Sequence, residues 1–109
     1  MVTTGLMVRL EAKPGKEAAV EAFLRDGLKL LQVERGTSAS FALRTGPRTF
    51  TVFDVFSTEA ERDAHLAGPL EKEIAAKVPE YFSGPPAIER FSVLASNLPC
   101  GMEIADSLG

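Results

Sequence analysis

His65 is the only histidine in the chain, so any imidazole acid–base step within one subunit must use it. It lies one helical turn after Glu61 in the run Glu61-Arg62-Asp63-Ala64-His65, a spacing that predicts a loose surface pair with Glu61. Asp54 is the second candidate. Strand alternation puts it on one face with Phe50, Val52 and Phe56, and a carboxylate among such side chains needs a partner. Arg9, on a strand expected to neighbour that one, is the partner the pattern suggests. His65 or Asp54 would then act as a base and Arg9 as the counter-charge to a substrate anion, with Met7, Phe50, Val52 and Phe56 as apolar walls. Arg44, Arg90 and Tyr81 read as rim residues. Ser57 or Ser83 could be written into a triad with His65 and Asp54, but no G-x-S-x-G elbow exists to present the hydroxyl. There is no phosphate-binding loop, no G-x-G-x-x-G and no metal-ligand spacing, so neither a metal nor an organic cofactor is expected. Cys100 stands alone, which removes a disulfide within these residues and a thiolate cluster for zinc.

These residues have to be held by a small domain. The 109 residues suit one domain, with 45% hydrophobic and 25% charged side chains. A net charge of −3 with scattered Lys and Arg argues against nucleic acid and against anionic membrane surfaces. Arg9 and Glu11 interrupt the apolar residues near the N-terminus, so that segment reads as neither signal peptide nor membrane anchor, and the expected location is cytoplasmic.

Leu6, Val8 and Leu10 alternate as a first strand. Val20, Phe23, Leu24, Gly27, Leu28 and Leu31 form the stripe of an amphipathic helix, with Gly27 fitting a close helix–sheet approach and Gly36 a stop. A second strand spans about 38–44, and Thr45-Gly46-Pro47-Arg48 turns the chain into a third at 49–56 that is apolar on both faces. Thr58 and Glu61 form a capping box for a second helix with an inner stripe of Ala60, Ala64 and Ala67. Gly68-Pro69 interrupts it, and Leu70, Ile74 and Val78 continue the stripe to Pro79. A last strand covers about 88–95. The expected fold is α+β, the ferredoxin-like order β-α-β-β-α-β: a four-stranded antiparallel sheet with both helices on one face, residues 1–96 forming the domain and 97–109 a tail. The other sheet face, read as carrying Phe50, Val52 and Phe56, is too apolar for water. A second copy of the chain is the expected cover.

Four segments resemble the antibiotic biosynthesis monooxygenase-like family of dimeric α/β barrels. They are Lys13-Pro14-Gly15-Lys16 before the first helix, Phe53-Asp54-Val55-Phe56, the run from Ser57 to Leu66, and Gly84-Pro85-Pro86 before the last strand. The resemblance implies a homodimer with sheets packed face to face and a small pocket between sheet and helices, with His65 near its mouth. It also implies cofactor-free oxidation of a small electron-rich aromatic such as a quinol. Phe56 stands where the family usually has Trp, Val52 where polyketide oxygenases have Asn, and Ala75 about where haem-degrading relatives have their axial His. Haem is therefore not expected. The alternative reading is a non-catalytic dimer that binds a small apolar ligand.

Overall fold

The computed structural model describes residues 1–33, 36–99 and 101–104. Along it run β1 (Thr4–Glu11), α1 (Glu17–Gly27), a 3-10 segment (Leu28–Val33), β2 (Thr37–Arg44), β3 (Thr49–Phe56), α2 (Glu59–Leu66), α3 (Pro69–Tyr81), β4 (Ala87–Ser92), β5 (Ala95–Leu98) and β6 (Gly101–Ile104). The first four strands form one antiparallel sheet in the order β2-β3-β1-β4. With the helices on one face, this is the α+β ferredoxin-like arrangement expected from the sequence. No helix among the described residues is long and apolar enough to cross a membrane.

The register decides which face of β3 meets the helices. Leu6, Val8 and Leu10 of β1 stand across from Asp54, Val52 and Phe50, and all six are buried. Val8, Leu10, Phe50 and Val52 share a core with Val20 and Leu24 of α1 and Leu70 and Ile74 of α3. Phe50, Val52 and Phe56 thus lie beneath the helices rather than on the bare face. The correction has a simple cause: β3 is apolar on both sides, so its own alternation cannot say which side is inner. Each buried phenylalanine removes enough apolar surface from water to contribute about 1.5–3 kcal/mol.

The outer face carries a different set of aromatics. Phe53 stacks on Phe91 with ring centroids 5.1 Å apart, and Phe41 stands 6.4 Å from Phe53 on the other side. Gly5, between Val55 and Phe91 in register, makes the row possible. A Cβ there would come within 2.2 Å of the Phe91 ring and 2.5 Å of the Asp54 carbonyl oxygen. Phe41 remains 51% exposed.

Three further expectations change. A Cβ at Gly27 would meet Leu70 at 2.9 Å, so the close approach is between α1 and α3, not helix and sheet. Ala60, Ala64 and Ala67 are exposed, whereas His65 is buried at 2%. The α2 sequence is so polar that alanine was its only apolar repeat, and polar pairing, not alanine packing, sets its inner face. The segment after β4 is a β5–β6 hairpin beginning at Ala95, apart from the main sheet and without extensive contact to it. Cys100 lies outside the described residues.

Candidate functional site

Asp54 enters the site from near the C-terminal end of β3, fully buried, with Leu6 opposite on β1 and Ser40 opposite on β2. The Ser40 hydroxyl donates to Asp54 Oδ1. His65 comes from the last turn of α2, whose start is set by the Thr58 side chain accepting from the Glu61 N–H at 3.1 Å. Glu71 arrives from the first turn of α3, with Pro69 fixing the start of that helix.

These three side chains converge. His65 Nε2 lies 3.0 Å from Asp54 Oδ2 and 3.4 Å from Glu71 Oε1. Side-chain exposure is 1% for His65, 0% for Asp54 and 9% for Glu71. On the far side of the ring, Nδ1 is 3.4 Å from Thr37 Oγ1, and the Phe56 ring packs against the imidazole at 5.3 Å. Two carboxylates in a dry setting repel one another, and positive charge between them is what makes the arrangement tolerable. Among the described residues this is the one cluster of three such groups with ligand atoms all within 4.8 Å.

His65 also lines a cleft of about 520 Å³ between α2, the start of β2 and the turn into α3. Gly36, Thr37, Ala60, Ala64 and Pro69 supply most of its remaining wall. The small alanines of α2 leave room for a ligand directly beside the imidazole.

The structure brings His65 and Asp54 together and leaves Arg9 out. Arg9 stands across from Thr51 on the outer face and reaches Glu89 at 3.9 Å, with more than half its side chain exposed. An Arg9–Asp54 pair is therefore ruled out by parity: the two point to opposite faces of the sheet. Met7 shares the outer face with Phe53. Phe50 and Val52 are in the core, away from the cleft wall, and Phe56 reaches the site only by packing behind His65. His65 is not a solvated partner of Glu61. Arg44 pairs with Glu21 at 3.2 Å, Tyr81 packs on Phe23, and Arg90 lines a separate surface depression with Arg62 and Thr4.

Sequence reasoning missed Glu71, Ser40 and Thr37. On an unbroken helix positions 65 and 71 would point about 120° apart. The break at Gly68-Pro69 swings Glu71 back toward His65, and that dipeptide was the available signal.

A ferredoxin-like sheet with helices on one face and a buried polar cluster defines the class as an α+β domain. Residues 3–77 match the antibiotic biosynthesis monooxygenase family, and the chain belongs to that family. A Nitrosomonas europaea protein of unknown function is 50% identical, with 93% of this chain and 98% of that one covered and a TM-score of 0.90. A Mycobacterium tuberculosis protein shares the fold at 18% identity and a TM-score of 0.73, over 84% of this chain and 95% of its own. A Shewanella oneidensis protein does so at 22% and 0.73, over 84% and 91%. Among curated proteins there is no match.

Proposed function

We propose that the protein is an oxygenase of a small, electron-rich phenol or quinol bound in the cleft beside His65. One observation carries this reading: a cleft of about 520 Å³ walled largely by small residues has, on its side, an imidazole flanked by two buried carboxylates. Such a site is suited to ionising a weakly acidic substrate.

Ionisation is the step the protein has to supply. Ground-state oxygen is a triplet and reacts slowly with a closed-shell phenol. A phenolate passes one electron to oxygen; the resulting radical and superoxide combine at the ring carbon beside the oxygen, giving a hydroperoxide. Loss of water then leaves an ortho-quinone, so one oxygen atom ends in the product carbonyl and the other in water. His65 in its neutral form receives the phenolic proton, and Asp54 and Glu71 behind it stabilise the imidazolium that results.

The working unit in this proposal is a homodimer joined through the outer sheet face. Support comes from the Phe41–Phe53–Phe91 row, an apolar surface that no helix among the described residues covers.

Oxygen-electrode measurements with a panel of hydroquinones and methoxyphenols test the activity. Uptake with matching formation of quinone absorbance is expected. Consumption at the uncatalysed rate across the panel would remove the enzyme reading and leave a ligand-binding protein.

A further inference from the structure

The sequence shows no metal-ligand spacing, yet the fold assembles three donor atoms from three elements. We propose that Asp54 Oδ2, His65 Nε2 and Glu71 Oε1 bind a divalent first-row transition cation, with its remaining positions open to water or to a substrate oxygen entering from the cleft. This deepens the reading above: it concerns what ionises the phenol at that same site.

Charge makes the first argument. Two buried carboxylates with one imidazolium between them keep a net negative charge out of water, which is costly. A divalent cation with a neutral imidazole brings the same group of side chains to neutrality. The hydrogen-bond pattern makes the second. Asp54 Oδ2 and Glu71 Oε1 are buried and accept no hydrogen bond, while the groups facing away from the cluster are held. Ser40 donates to Asp54 Oδ1, and Thr37 Oγ1 lies 3.4 Å from His65 Nδ1. This is how outer residues orient a carboxylate and a histidine that turn their other atoms to a metal.

Distance makes the third. With metal–ligand bonds of about 2.1 Å, neighbouring donors lie about 3.0 Å apart in octahedral and about 3.4 Å in tetrahedral coordination. The two separations at Nε2 are 3.0 and 3.4 Å. The carboxylate oxygens, within 4.8 Å of each other, close on a common point by rotation of the Glu71 side chain. One imidazole and two carboxylates suit manganese, iron or zinc in the divalent state. A phenol oxygen on such an ion ionises by Lewis-acid polarisation, and the imidazole then serves as ligand instead of proton acceptor.

Cobalt(II) is the probe, because its visible d–d absorption reports ligation directly. Metal-free protein titrated with Co²⁺ is expected to give a saturating band at one ion per chain and a raised melting temperature. Ser40→Ala, which leaves all three donors in place, should weaken binding by about 10–100-fold while keeping the band. Glu71→Gln, which keeps the shape of the side chain but removes an anionic donor, should weaken it more than Ser40→Ala does. Absence of a saturable band, or a band of unchanged affinity in Glu71→Gln, overturns the proposal. Phenol oxidation is measured separately with chelator and with added metal. Turnover that persists in chelator overturns the metal's role in ionisation and leaves the oxygenase reading standing. Cobalt binding without any phenol turnover upholds the metal site and defeats the oxygenase reading.

Discussion

His65 Nε2 lies 3.0 Å from Asp54 Oδ2, and neither side chain is more than 1% exposed. One comes from the last turn of α2 and the other from near the C-terminal end of β3. The pair therefore joins the helix layer to the sheet, and His65 also lines the cleft.

Because the pair is buried, removing one partner strands charge. His65→Ala leaves Asp54 and Glu71 facing each other without the imidazole and is expected to cost about 3–5 kcal/mol. Asp26→Ala, which breaks only an exposed pair with Lys29, should stay within about 0.5 kcal/mol of the parent. Urea unfolding monitored by circular dichroism compares them. Equal stability of His65→Ala and the parent, the outcome that the surface reading of His65 implied, would mean that the pair does not hold α2 to the sheet.

Turnover should respond to His65 more steeply than folding does. His65→Gln retains a polar group of similar reach and is expected to lower oxygen uptake by roughly 10²–10⁴-fold while remaining folded. Full activity in a folded His65→Gln protein would remove the imidazole from the reaction.

Ala64 faces the cleft from an exposed position on α2. Ala64→Phe should occupy the space beside His65 and raise KM by tenfold or more, a loss of about 1.4 kcal/mol in binding, with little change in melting temperature. Unchanged KM for every substrate turned over would place the bound ligand elsewhere.

The two faces of β3 predict opposite outcomes for one kind of substitution. Phe50→Asp places a charge in the core and should prevent folding. Phe53→Asp, on the outer face, should leave the chain folded and convert a dimer of about twice the 11.7 kDa chain mass to a monomer. Light scattering coupled to size exclusion reads both. A parent protein that runs as a monomer at micromolar concentration would defeat the dimer.

Gly5 carries a related prediction. Gly5→Val would drive side-chain carbons into the Phe91 ring and the Asp54 carbonyl oxygen, and a backbone atom cannot step aside as a flexible side chain can. A destabilisation of at least about 1–3 kcal/mol is expected, read by thermal unfolding. A tolerated valine would mean that the aromatic row is free to rearrange.

The order of elements was legible in the residues because local patterns report local structure. Alternation marked β1, the Thr58 capping box marked the start of α2, and Gly68-Pro69 marked the break before α3. His65 and Asp54 were legible as candidates because each is chemically conspicuous in its surroundings. Which face of β3 turned inward was not, since period-two alternation is silent where both faces are apolar, and only pairing with Leu6, Val8 and Leu10 settles it. That same choice sent Asp54 to the helices and Arg9 to the opposite face, joining Asp54 to His65. Glu71 became part of the cluster only through the change of direction at Pro69. Convergence of three side chains from β3, α2 and α3 depends on register and interhelix angle, which no short window of sequence encodes.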